Sequence, residues 1–203
     1  MSWRLVEGIP LPDAVGGHPA LDFCNTRAGW GNERPKEYLT APAALALWAR
    51  DNALLDPAGV AAGVPAGADG DTPEQTALAR ALTLRDALYP CALGAGAPQD
   101  WVVVSREAAL ARAAAALVPN PPGARASWRP RRSGPAEAAL AMVAIAAEDL
   151  LTSSLAGFVG ACPGEGCGWL FADRRRRRRW CSMAACGNRA KARRYAERHG
   201  SRP

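Results

Sequence analysis

Hydrophobic positions recur at helical spacing through most of the first 160 residues. After Thr40, which the pattern makes a helix cap, Leu45, Trp48 and Ala49 share one face. Glycine, proline and alanine then fill Asp56 to Asp71, which reads as a loop. Thr72-Pro73-Glu74-Gln75 is a helix start, with a capping hydroxyl, a proline at the first position and a glutamine at the third. Leu78, Leu82 and Arg85 continue that helix, and Pro90 and Gly94 end it. Trp101 to Val104 suits a short buried strand or the opening of a helix. The alanines that follow favour a helix running through Leu110 and Leu117. Pro119 to Gly123 is a turn and Arg125 to Arg132 an exposed strand. Pro135, with Glu137 behind it, opens the last long helix. Its apolar stripe is Leu140, Val143, Ala147, Leu151, Leu155 and Phe158, and such stripes read as core packing. The expected fold is mainly α within the α+β class. A helical domain with a short β element covers residues 1–160, and a small module covers 161–203.

The composition, 49% hydrophobic and 22% charged, is that of an ordinary globular chain. It excludes collagen-like, coiled-coil and wholly disordered chains. The longest uncharged apolar run, Ala138 to Ala147, stops at Glu148 and Asp149. A membrane-spanning helix needs about 20 such residues. Met1 to Pro12 has no apolar stretch behind a basic patch, so it does not read as a signal peptide. A cytoplasmic protein with no membrane partner is expected, and there the six cysteines stay reduced or bind metal.

Charge is unevenly spread. Residues 1–161 carry 13 Lys and Arg against 16 Asp and Glu, whereas residues 162–203 carry 12 against 3. A basic end of this kind suits a polyanionic partner. A disordered basic tail is the plainer alternative. Trp169, Leu170, Phe171 and Trp180 argue against it, because disordered tails lack such residues.

Four of the six cysteines lie in the same stretch, as Cys162-x4-Cys167-x13-Cys181-x4-Cys186. Two close pairs separated by a short insert suit a tetrahedral zinc site. Gly164, Gly166, Gly168 and Gly187 supply the permissive backbone of metal-binding turns. Four thiolates fill the coordination sphere and leave no place for a reactive water, so the zinc is expected to be structural. Two disulfides, or free thiols, are the alternatives.

The run from Cys162 to Asp173, followed by Arg179 to Arg194 with Cys186-Gly187-Asn188-Arg189 at its centre, closely resembles the CGNR zinc finger. In that family the finger follows an N-terminal ABATE domain, assigned to bacterial stress-induced transcription regulators. Leu21-Asp22-Phe23-Cys24-Asn25-Thr26 is similar to that domain's early run, and Leu39 to Trp48 to the helix after it. The resemblance implies a zinc-bearing, DNA-binding regulator without enzymatic activity. This chain departs from the family at one point: Arg174 to Arg179 stand where the family has a serine and small polar residues.

The residues also suggest how such a module would work. The segment after Cys186 lacks a breaker until Gly200, so it reads as a helix with Cys186 at its first turn. Lys191, Arg194 and Arg198 share one face, and Arg189 and Arg193 lie beside them. Arg174 to Arg179, including Arg178 and Arg179, would form the tip of a hairpin running from Trp169 to Cys181. The module is then a hairpin and a basic helix around the metal, in a treble-clef-like arrangement. Two cationic surfaces on one small unit suit a phosphate backbone. DNA is the expected partner, and RNA or a protein surface the alternative. A solvated charge run is the bland reading.

In the N-terminal domain, Asn25, Thr26 and Arg27 are candidates for a pocket holding a small-molecule effector. Turn chemistry and helix capping compete with that reading. A second copy of the chain is a further candidate partner. His18 and His199 are the only histidines and make a poor basis for catalysis. His199 suits a helix end, and Cys24 and Cys91 read as small buried hydrophobes.

Overall fold

The computed structural model describes residues 2–56, 72–120, 125–131 and 134–199. Most of the loop expected over Asp56 to Asp71 lies outside the described residues, as do most of the Pro119 to Gly123 turn and Arg132.

Alanine decides how the helices pack. Helix α5 (Pro135–Thr152) buries twelve of its eighteen residues, seven of them alanine. Small side chains let α2 (Pro42–Asp51), α3 (Pro73–Ala92) and α4 (Pro98–Ala114) close around it. One apolar stripe was expected on α5, but burial extends around most of the helix. Leu45, Trp48, Leu84, Leu88, Val143 and Leu150 form the centre of this core. The short helix α1 (Pro19–Cys24) packs on α3 and α5.

Among the described residues, four antiparallel two-stranded hairpins lie around the helices. Strands β1 (Trp3–Val6) and β2 (Ile9–Pro12) turn through Glu7 and Gly8, with φ of 49° and 80°. A tight hairpin needs positive φ at both central positions. Strands β3 (Arg27–Ala28) and β4 (Lys36–Glu37) follow α1. Strands β5 (Ala115–Val118) and β6 (Ser127–Pro130) follow α4. Strands β7 (Val159–Ala161) and β8 (Leu170–Ala172) lead to α6 (Asn188–His199).

Several expectations need correction. Thr40 does not cap α2, which starts at Pro42 after Ala41 with no side-chain cap. Thr72 does cap α3, its hydroxyl accepting from the Gln75 amide at 3.2 Å. That helix runs past Pro90 to Ala92 before Gly94, at φ 70°, turns the chain away. A proline in the last turn removes only one hydrogen bond there. Trp101 to Val104 is helical, but the helix stops at Ala114, and Leu117 lies in β5. No described helix is long and apolar enough to cross a membrane.

Candidate metal centre and its seat on the helical domain

The expected hairpin from Trp169 to Cys181 does not form. Instead β8 pairs with β7, and the Cys162–Cys167 turn is the tip between them. The Cys162 amide donates to the Trp169 carbonyl at 2.8 Å and the Cys167 amide to the Gly164 carbonyl at 2.8 Å, which closes the turn. Gly168 sits at φ 67°, and a Cβ there would lie 2.7 Å from Cβ of Trp30. Gly168→Ala is therefore expected to cost about 3 kcal/mol, from a left-handed backbone and an overpacked contact together. Urea unfolding of the zinc-loaded protein measures it, and a loss under about 0.5 kcal/mol would show that the seam yields.

Cys181 and Cys186 enter from the other side. Cys186 lies in one wide turn, Met183–Gly187, that runs straight into α6. All four sulfurs are buried and lie within 4.8 Å of one another. Sγ of Cys181 is 3.7 Å from Sγ of Cys167 and 3.6 Å from Sγ of Cys186. A zinc–sulfur bond of about 2.3 Å implies sulfur separations of about 3.8 Å in a tetrahedron. The donor set fits a zinc ion, and the four cysteines are positioned to hold one. Without a cation the thiols crowd one another. The hydrogen bond from Cys167 to Cys162 pushes the Cys167 thiol up to about 12 and holds Cys162 well below its usual range.

The arginine of the CGNR motif serves this centre. Nη2 of Arg189 donates to Sγ of Cys186 at 3.1 Å, and that contact raises the Arg189 pKa. Four thiolates around one zinc leave two negative charges, which this guanidinium partly offsets.

The remaining basic residues sort by what they touch. Arg193 pairs with Glu165. Arg178 turns inward, donating to the carbonyls of Val15, at 2.9 Å, and Cys181, with Phe171 beneath its guanidinium. Arg179 lies over Trp180 at 5.2 Å. Arg174 reaches Ser154 and, with Arg176, lies over Phe158. Arg175 and Arg177 are exposed. The chain bends here because Asp173 accepts the amides of Arg175 and Arg178. Lys191, Arg194 and Arg198 project from α6 without a partner among the described residues. Only Ala190 of that helix is buried.

The finger is sewn to the helical domain along β8. Asn25 is fully buried, and its amide lies against the strand like the edge of a neighbouring one. Nδ2 donates to the Leu170 carbonyl at 2.9 Å, and Oδ1 accepts from the Leu170 amide at 2.7 Å. Nε1 of Trp169 donates to the Arg27 carbonyl at 3.1 Å, and the Tyr89 hydroxyl to the Gly168 carbonyl at 2.6 Å. The Ala172 amide donates to the Gly16 carbonyl at 2.8 Å. Ala28, Tyr38 and Trp30 pack with Trp169, Phe171 and the four cysteines in one cluster.

This seam occupies the residues expected to line an effector pocket. Thr26 is fully buried, donating to the Phe23 carbonyl at 2.6 Å and accepting from Nη1 of Arg85 at 3.1 Å. Arg27 pairs with Asp86 at 3.1 Å and lies over Trp30. Asn25, Thr26 and Arg27 therefore direct their hydrogen bonds to the protein itself rather than into a pocket. Helical spacing marks Arg85 only as one position on a face. It is buried and grips Glu37 with two bonds, of 2.7 and 2.5 Å. Nothing local in the sequence signals a partner 48 residues away.

The histidines also have structural places. His18 caps α1, its Nδ1 accepting from the Ala20 amide at 3.2 Å. His199 bonds the Tyr195 carbonyl at 2.9 Å and stacks on that ring. Cys24 and Cys91 are buried thiols, and burial pushes the Cys24 thiol up.

A search of the curated proteins finds no match to the chain. Two family models do match. Residues 159–199 match the CGNR zinc finger, the stretch that carries all four sulfurs. Residues 17–154 match ABATE, described as "Putative stress-induced transcription regulator". That match spans most of the chain, from the cap of α1 through the end of α5, so the chain belongs to the ABATE family and carries a CGNR zinc finger.

Proposed function

We propose that the protein is a cytoplasmic transcription regulator, not an enzyme, whose zinc finger binds duplex DNA. The observation that carries this is α6, a helix pinned at one end to the metal centre. Its outward face presents Lys191, Arg194 and Arg198 to solvent while only Ala190 is buried. An α-helix fits the major groove, and unpaired cations along it meet the phosphates on either side. Arg175 and Arg177 offer a second phosphate contact from the loop after Asp173. Arg189, Arg193 and Arg178 act indirectly in this reading, by fixing the helix and the loop to the finger. Docking of the finger on the helical domain leaves the Lys191 face open, which favours nucleic acid over a protein partner on that face.

The test is fluorescence anisotropy of the zinc-loaded protein with mixed-sequence duplex DNA, beside RNA of equal length, across a salt series. Binding to duplex should weaken steeply with salt. Changing Lys191, Arg194 and Arg198 together to Gln should flatten the slope by about 2.7, at about 0.9 for each phosphate no longer neutralised. Tighter binding to RNA would move the protein to RNA-linked regulation. No binding to either at about 50 mM salt, where phosphate contacts are strong, would end the nucleic-acid reading.

A further inference from the structure

A cleft of about 710 Å³ opens where the start of α1, the end of α2, the side of α5 and strand β6 meet. Its volume falls in the range of small-molecule sites, about 300–1,000 Å³. The floor is a strip of α5 that keeps slight contact with solvent. Ala139, Val143 and Leu150 are 0% exposed, whereas Met142, Ile145 and Ala146 are 8%, 7% and 8% exposed. Leu54 and Trp128 add apolar walls.

The rim carries three guanidiniums. Arg50 pairs with Glu7, and Arg112 pairs with Glu148 at 2.7 Å; neither carboxylate lines the cleft. Arg129 pairs with Asp56 at 3.3 Å across the mouth. At the other end, Nε2 of His18 lies 3.1 Å from Asp149, whose side chain is largely exposed. Because Nδ1 of His18 accepts the Ala20 amide, Nε2 carries the proton and donates to Asp149.

We propose that this cleft binds a small amphipathic monoanion, a carboxylate or sulfonate on an aliphatic or aromatic body. The floor suits the apolar body. Arg50, Arg112 and Arg129 place three guanidinium donors on the rim for an anionic head, each already held by one carboxylate. Exposed ion pairs contribute only about 0–1 kcal/mol each, so a ligand can take over their donors at little cost. A polyanion would meet Asp56 and Asp149 and is disfavoured. The site is separate from the finger and from Asn25, Thr26 and Arg27. An occupant would nevertheless touch both α1, which leads into Asn25, and α5, which leads into β7.

The experiment is a titration of the zinc-loaded full chain with 8-anilinonaphthalene-1-sulfonate, followed by competition with octanoate and with octanol. Saturable one-site binding is expected, displaced by octanoate at concentrations about tenfold lower than octanol, because the charge adds to the shared apolar body. The double variant Arg50→Gln, Arg129→Gln removes two rim cations. With a wild-type circular dichroism spectrum, it should bind the probe about tenfold more weakly. Binding that does not saturate, or octanol competing as well as octanoate, would overturn the proposal. So would a folded double variant with unchanged affinity. If the variant does not fold, the comparison of octanoate with octanol on the natural chain still decides. None of these readouts involves nucleic acid, so this site and the DNA-binding reading stand or fall separately.

Discussion

Removing zinc with a strong chelator is expected to unfold residues 159–199 and leave the packing around α5 standing. Apart from its seam with the helical domain, the finger has only a small apolar core of its own. Trp169, Phe171 and Trp180 are its large apolar side chains, and burying each contributes about 1.5–3 kcal/mol. Ordering the backbone of the finger opposes this. Structural zinc contributes on the order of 10–16 kcal/mol, and that binding energy is folding energy. The helical domain has its own core, to which the finger lends only Leu170 and a few partly buried side chains. Hydrogen exchange before and after chelation is the measurement. Amides of β8 and α6 should lose protection, and those of α5 should keep it. Cys181→Ser should give the same pattern without a chelator. A Cys181→Ser protein that stays zinc-loaded and fully protected would sink the four-sulfur assignment.

The second large effect is expected at Asn25. Replacing it by alanine strips two partners from one residue of β8, leaving the amide and carbonyl of Leu170 unpaired in the core. Each orphaned group costs about 1–3 kcal/mol, so Asn25→Ala should destabilise the protein by about 3 kcal/mol or more. Denaturant unfolding measures the loss, and exchange at the Leu170 amide locates it. A change under about 1 kcal/mol, with that amide still protected, would mean that other groups or water take over. Had Asn25 lined a ligand pocket instead, truncation would leave stability nearly unchanged.

How much of the fold and the site is legible in the sequence depends on whether a signal is local. The metal centre is legible because cysteine spacing encodes two turns and their contents. Thr72 is legible because its cap, proline and glutamine lie side by side in the chain. The seam is not. Asn25 and Leu170 are 145 residues apart, and nothing near either one announces the other. Asn25, Thr26 and Arg27 look like a site because polar residues inside an apolar run need partners. Their partners prove to be the chain itself. The Ala115–Val118 strand escapes a reading of the sequence because alanine continues a helical pattern at no penalty, and pairing with β6 decides the matter from farther along the chain. The arginine run reads as a hairpin tip because the fold has to turn somewhere between the cysteine pairs. The turn exists, but it is built on Asp173, and β8 pairs with the strand before it.

Six residues separate the end of α5 from the start of β7, and five of them form one tight helical turn, Ser154–Phe158. There is no slack tether. Fingers strung on loose linkers tumble before they land, and the orientation they lose is lost at the moment of docking. Here that freedom is gone once the chain has folded, so on the proposed reading α6 would meet DNA at an angle fixed by the whole body. Anything α6 grips must also accommodate the helical domain beside it. Two copies on one duplex would then be spaced by the bulk of their bodies, with no string to lengthen or shorten.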